Sequence, residues 1–145
     1  MRIAILDDDR TALQLVEQAL TGGHDDAWTR TLKISYFTSG RELLERLRGE
    51  RFDALVLDRQ LPDINGDEIL KWVRAHLPAD VVVVMVTSLG GLSESLTLLE
   101  SGADDYLTKP FSGAELYARL KRLLARTASG REVVEAVRSE SGGFE

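Results

Sequence analysis

The sequence predicts an α/β fold, a doubly wound parallel sheet of five strands in the order 2-1-3-4-5 flanked by five helices. Three observations predict it. Short, continuously apolar runs alternate with helix-like segments along the chain, as expected for strands covered on both faces. The connections between them are mostly short, which implies parallel pairing with right-handed crossovers. Four of the apolar runs end in a polar fragment, so a parallel arrangement gathers those fragments on one rim of the sheet, where ligands of such sheets bind.

The elements follow in order. A first strand at 2–7 carries Ile3-Ala4-Ile5-Leu6, and a helix at 10–21 carries the stripe Leu13, Val16 and Leu20. The stretch Gly22 to Thr31 is longer than such a connection needs and is read as a surface excursion. Strand 32–37 precedes a helix at 40–49, whose stripe is Leu43, Leu44 and Leu47 and whose start carries the capping box Ser39 with Glu42. Strand 53–58 is followed by a helix at 66–76 with a looser box, Asn65 with Glu68. Pro78 ends that helix by disfavouring helical geometry at Leu77. Strand 81–86 is the clearest, because its residues are almost all β-branched. A helix at 92–102 closes on Gly102 as a left-handed cap. Strand 105–108 leads into a helix at 113–126, with the box Ser112 and Glu115 and the stripe Leu116, Leu120, Leu123 and Leu124. All the stripes are read as core.

Residues 1–126 therefore form one domain, and 127–145 a linker or tail leading to an output domain outside this chain or ending natively disordered. In the tail Ser129-Gly130 is expected to break the helix, 132–137 to make one more short turn, and Ser141-Gly142-Gly143 to be linker-like before an isolated Phe144. The absence of cysteine excludes disulfides and thiolate metal sites. No apolar run approaches a membrane span of roughly 18 residues, so no membrane partner and a cytoplasmic location are expected. The net charge of −6 disfavours broad nucleic-acid binding by these residues. His24 and His76 are isolated and are read as surface residues.

The rim fragments carry the chemistry. They are Asp7-Asp8, Asp58, Thr87-Ser88 and Lys109-Pro110. A like-charge carboxylate pair at about 4 Å repels by roughly 4 kcal/mol at an effective dielectric near 20, and a cation removes that cost. The donors are all oxygen, so Mg²⁺ or Mn²⁺ fits and Zn²⁺ does not. Helix capping by Asp7 and Asp8, helped by Asp9, explains one acid but not three in a row, and says nothing of Asp58, Thr87 or Lys109. Pro110 restricts Lys109 and allows a cis bond, and the turn aims the ammonium over the strand ends, to pair with Asp58 at rest. A hydroxyl, an ammonium, a cation and a nucleophilic aspartate are what phosphoryl transfer requires.

On these residues the chain resembles the receiver domain of two-component response regulators, which is a flavodoxin-like fold. The resemblance runs from residue 1 to about 126, through Asp7-Asp8, Asp58, Leu61-Pro62-Asp63, Gly66, Thr87, Gly102-Ala103-Asp104-Asp105-Tyr106 and Lys109-Pro110-Phe111. It implies that Asp58 is the phosphoacceptor. It implies that Asp8, Asp58 and the backbone carbonyl of Gln60 bind Mg²⁺ directly, with Asp7 acting through water. Thr87 and Lys109 would bind the phosphoryl oxygens, and Tyr106 would be the aromatic switch that turns inward when Thr87 is drawn to the phosphate. Such a domain is no enzyme in the ordinary sense, since it catalyses only its own phosphorylation and dephosphorylation. Its donor is a sensor histidine kinase or a phosphotransfer protein. Its responding face joins the fourth helix, fifth strand and fifth helix, and controls an output domain in cis or a separate protein.

Residues 104–112, with Glu115-Leu116 and Arg119-Leu120, most resemble the OmpR-like subfamily, which dimerises on that face and reaches DNA only through its output domain. Asp105 and Arg119 suit its salt-bridge network. Ser95 and Ser101 depart from it, standing where that subfamily places charges, so a weak or phosphorylation-dependent homodimer is expected. Ser88 stands where the family most often has alanine, and Arg59, Gln60 and Leu89 occupy positions that tune phosphoryl lifetime. The alternative is a receiver-like interaction module that takes no phosphate. A flavodoxin-type carrier is disfavoured because Asp7-Asp8-Asp9 repels phosphate. A phosphohydrolase is disfavoured because Asp58-Arg59-Gln60 lacks a second acid two residues on.

Overall fold

The computed structural model describes residues 1–22, 27–88 and 100–142, with side chains described as far as residue 127. The predicted helix at 92–102, with Leu89 and Ser95, lies almost wholly outside the described residues, as do His24 and Phe144.

Five strands, β1 Arg2–Leu6, β2 Lys33–Phe37, β3 Ala54–Asp58, β4 Val82–Thr87 and β5 Asp105–Thr108, form one sheet in the order β2-β1-β3-β4-β5. All four pairings are parallel. Successive strand residues point to opposite faces, and here both faces are apolar. Ala4, Leu6, Leu55, Leu57, Val83 and Met85 join one buried cluster with α3 (Gly40–Gly49) and α4 (Gly66–His76). Ile3, Ile5, Val56, Val84, Val86 and Leu107 join the other, with α1 (Arg10–Thr21) and α5 (Gly113–Gly142). The continuous apolar runs are thus two interleaved half-runs, each supplying one core. Burying such a side chain contributes roughly 1.5–3 kcal/mol. The predicted stripes Leu13/Val16/Leu20 and Leu116/Leu120/Leu123/Leu124 are buried, as are Leu43 and Leu47, with Leu44 packed at the edge.

The long connection after α1 holds a one-turn helix, α2 (Ala27–Arg30). Its Trp28 meets the Tyr117 ring of α5 edge-on, with centroids 5.3 Å apart, so this excursion folds back onto the body of the domain. The helix starts differ from their sequence patterns in one case. Ser39 and Ser112 accept from the backbone N–H groups of Glu42 and Glu115, as expected. Asn65 makes no side-chain cap on α4. The acid nearby, Asp63, instead reaches across to the start of α3. It accepts from the Ser39 hydroxyl at 2.9 Å and from the backbone N–H groups of Gly40 and Arg41. Helix α4 ends at Leu77 in extended geometry, just before Pro78. Gly102 takes φ +108°, the left-handed geometry expected of it. Arg74 locks that turn, donating to the carbonyls of Gly102 and Val81 and to the Asp104 carboxylate.

Helix α5 corrects one boundary. It runs through Ser129-Gly130 to Gly142 instead of breaking near residue 126. One interior glycine costs a helix only about 1 kcal/mol, and the residues around it include good helix formers.

Desolvation opposes the Asp63 charge, but the donors from Arg41, Ser39, Ile64 and Gly40 outweigh it and hold the carboxyl well below the usual carboxylate range. A depressed folded-state pKa stabilises above the unfolded value of about 4 and fades as pH falls toward the folded value. Asp63→Ala is therefore expected to cost about 1 kcal/mol at neutral pH by urea denaturation. The gap to wild type should narrow as pH drops below about 4. A gap independent of pH would mean that the carboxylate charge is not what holds α3.

Candidate functional site

Four strand ends build the site. β1 runs into Asp7, β3 ends in Asp58, β4 ends in Thr87, and β5 is followed by Lys109. The Lys109 backbone N–H donates to the Thr87 carbonyl at 2.8 Å, so the β4–β5 ladder itself carries the lysine to the rim. The Lys109–Pro110 bond is cis.

Asp7, Asp8 and Asp58 each offer a carboxylate oxygen within 4.8 Å of the others. Asp7 and Asp58 are buried and Asp8 is exposed. Asp9, not Asp7 or Asp8, caps α1 by accepting from the Thr11 N–H. The first two acids are thereby left to the site. Lys109 Nζ donates to Asp7 at 3.0 Å and to Asp58 at 3.2 Å. The sequence reading paired it with Asp58 alone; the ammonium bridges both acids because their oxygens converge from neighbouring strands. Asp58 also accepts from the Gln60 backbone N–H at 3.1 Å, and Asp7 from that of Asp9 at 2.9 Å.

The electrostatics are under-neutralised. Burial pushes the Asp58 carboxyl above its ordinary value, against the Gln60 N–H and Lys109, with Asp7 adding to the rise. Burial lowers the Lys109 pKa, but its bonds and charges with Asp7 and Asp58 overcome this and hold it above its ordinary value. One ammonium faces three carboxylates. An all-oxygen donor set with surplus negative charge fits a hard divalent cation.

Thr87 is buried at the end of β4. Tyr106 is half-buried, packs against the α3–α4 cluster and pairs in register with Met85. Asp105 accepts from Arg119 at 2.6 Å within the chain. His76 stacks on Trp72 with ring centroids 4.8 Å apart, in keeping with a surface role.

Two depressions meet at the acids. One, of about 510 Å³, is lined by Asp8, Asp58, Gln60 and Lys109, with Asn65 and Ser88. The other, of about 570 Å³, is an apolar groove between α1 and the segment after β5, sharing Asp58 and Lys109 with the first. Leu15 lies on it and is the one large apolar side chain exposed among the described residues. Sequence reasoning missed the pocket roles of Asn65 and Leu15. Asn65 looked like a cap, and Leu15, two residues beyond Leu13, falls off the α1 stripe, which was the available signal.

Comparison with known proteins agrees with this geometry. The model of the response regulator receiver domain matches residues 3–121. The response regulator MprA of Mycobacterium ulcerans is 36% identical over 128 residues, covering 88% of this chain and 51% of that protein. The probable transcriptional regulator ycf27 of Guillardia theta is 34% identical over 130 residues, 87% of this chain and 46% of its own. Among solved structures, the response regulator DrrB of Thermotoga maritima, an OmpR/PhoB homolog, is 34% identical with a TM-score of 0.74, over 86% of this chain and 52% of that one. The chain spans about half the length of the curated relatives it matches. Among the described residues no helix is long and apolar enough to cross a membrane. With its strand order, its rim acids and these relatives, the chain belongs to the receiver domain family of two-component response regulators, within the OmpR-like subfamily.

Proposed function

We propose that Asp58 accepts a phosphoryl group from a phosphohistidine on a sensor histidine kinase or phosphotransfer protein, in a Mg²⁺-dependent step, and that the acylphosphate resets the surface that controls an output. The observation that carries this reading is the convergence of Asp7, Asp8 and Asp58 with Lys109 bonded to two of them. Asp8, Asp58 and the Gln60 carbonyl would hold Mg²⁺ or Mn²⁺, with Asp7 acting through water. When bound, the cation neutralises charge on the phosphoryl oxygens.

The chain's own residues do the rest. Asp58 attacks phosphorus with a carboxylate oxygen. Lys109, already at hydrogen-bond distance from that carboxylate, turns one N–H to donate to an equatorial oxygen. Thr87 supplies a hydroxyl to another, and its movement frees the space into which Tyr106 turns. The donor protein must cover the rim to reach Asp58, and the apolar groove with Leu15 is continuous with that rim. This favours the groove as its seat.

The new group adds a charge of about −1.5 to −2. Its effect passes to the face that carries β5 and α5, and from there to an output domain outside this chain, of the DNA-binding kind in this subfamily, or to a separate protein. Residues 1–126 are the receiver and 127–145 the connection to that output. Asp105 is already engaged with Arg119 at rest, which supports a dimer that forms weakly or only on phosphorylation. Sedimentation with and without beryllofluoride, an acylphosphate mimic, is expected to show a shift toward dimer; an unchanged monomer would count against it.

Incubation with acetyl phosphate, followed by intact mass, tests the central reaction. The expected result is a gain of one phosphoryl group with Mg²⁺ and none with a chelator. No gain in either condition favours an interaction module that takes no phosphate.

A further inference from the structure

Helix α5 is held on two flanks. Its stripe of Leu116, Leu120, Leu123 and Leu124 is buried against the sheet. At about 100° per residue, Glu115, Arg119 and Arg122 fall on one side of that stripe, and Tyr117 and Lys121 on the other. On the first side Arg119 donates to Asp105 of β5 at 2.6 Å, and Arg122 lies 3.8 Å from the same carboxylate. On the second side stands α2. Trp28 meets the Tyr117 ring edge-on at 5.3 Å, and the Thr29 and Tyr117 hydroxyls are 3.3 Å apart. The Lys121 ammonium lies 5.9 Å from the Trp28 ring centroid and 5.6 Å from that of Tyr117.

The second flank is short but firmly attached. Thr31 closes α2 by donating to the Trp28 carbonyl, from its backbone N–H at 3.0 Å and its hydroxyl at 2.6 Å. Leu32, Trp28 and Tyr117 pack together on the buried cluster under α1 and α5. Lys33 then opens β2 with a backbone bond to the Met1 carbonyl at 2.7 Å. A helix-to-strand connection needs only about 2–6 residues. This one is longer, and its extra length reaches α5. It ties β2, one edge of the sheet, to the helix that follows β5, the opposite edge.

We propose that α2 is a latch on α5, closed at rest through Trp28 and Tyr117 and released when Asp58 is phosphorylated. This rests on the phosphoacceptor reading of Asp58. Lys109 gives its hydrogen bonds to Asp7 and Asp58 here, so the latch is closed in the resting arrangement. Asp105 begins β5 and Lys109 follows its end, so a shift at the rim reaches α5 through the Asp105–Arg119 pair. That pull acts on one flank of the helix, and the aromatic contacts on the other flank oppose it. Because α5 runs on to Gly142, the latch acts on the connection to an output as well. Aromatic-pair and cation–π contacts are each strong enough to move a two-state equilibrium several-fold.

Titration calorimetry with beryllofluoride at saturating Mg²⁺ reads the latch as an affinity. Loosening the latch raises the fraction of protein in the released arrangement, and the apparent Kd falls in proportion. Trp28→Ala is expected to lower it about fivefold, and Trp28→Phe, which keeps an aromatic ring, to stay nearer wild type. A purely structural α2 would lower the urea midpoint of Trp28→Ala and leave the affinity alone. The reciprocal effect is read in Trp72→Phe, where Trp28 is the one tryptophan left. Beryllofluoride is expected to shift its emission to longer wavelength as the ring leaves Tyr117. An apparent Kd in Trp28→Ala within about twofold of wild type, or above it, overturns the proposal and leaves the acceptor reading standing. So does an unmoved Trp28 emission, which serves even where Trp28→Ala does not fold. A wild type that binds no beryllofluoride overturns both.

Discussion

Replacing Gly66 with alanine is expected to displace the start of α4 from the end of β3, costing about 1–3 kcal/mol and slowing phosphorylation of Asp58. A Cβ at position 66 would collide with the Asp58 carbonyl oxygen and press on the Arg59 Cα. Both obstacles are backbone, and no rotamer change relieves them. Alanine has a helix advantage of up to about 1 kcal/mol over glycine, but it is smallest at a helix start and does not offset a backbone collision. The displaced segment carries Asn65 and borders Gln60, so the pocket should deform along with the packing. Urea denaturation and the acetyl phosphate labelling rate read the two effects. A variant with unchanged midpoint and unchanged rate would mean that the close approach of α4 to Asp58 is dispensable.

Removing Lys109 should act even more strongly on the rim. Asp7 and Asp58 are mostly buried, and the ammonium bonds both. Lys109→Met keeps much of the side chain's bulk and removes the charge. In buffer free of divalent cations it is expected to cost about 2–4 kcal/mol, because truncating one partner leaves buried charges uncompensated. Mg²⁺ should return most of that loss, since the cation neutralises the same carboxylates. Labelling by acetyl phosphate should still slow by about tenfold or more, because the phosphoryl oxygens lose a fixed positive partner. Thermal melts with and without Mg²⁺, together with the labelling rate, check both parts. A loss that Mg²⁺ does not return would indicate that the acids do not share a cation site.

The sheet was legible because its signal is local. Runs such as Val82 to Val86 need two apolar faces, and the structure supplies them in alternation. The limits of α1, α3 and α4 agree with the pattern because each stripe and the residues that bound it lie close together in the chain. The acids of the site were legible for a related reason: Asp7-Asp8 follow β1 and Asp58 ends β3, and parallel pairing brings strand ends to one rim. What escaped the sequence was the choice of partner between distant segments. Asp63 binds the start of α3, some 22 to 24 positions away, while Asn65, the better local match for a cap, stays unused by its helix. Lys109 finds Asp7, 102 positions away, as well as Asp58. Trp28 finds Tyr117 in the same way. Such choices are settled by tertiary packing, which no short window of sequence encodes. The extension of α5 through Gly130 escaped for another reason, because a single unfavourable residue was weighed above its helix-forming neighbours.

Locating the phosphoryl group tests the central claim most directly. Wild-type protein and the Asp58→Asn variant are treated with acetyl phosphate and Mg²⁺, then digested and mapped by mass spectrometry under conditions that trap acylphosphates. The expected result is a single modified position, Asp58, with no acylphosphate in the Asp58→Asn variant and none in wild type deprived of divalent cation. Acylphosphate on another residue, or labelling of the variant at the wild-type rate, would contradict the assignment of Asp58 as the acceptor.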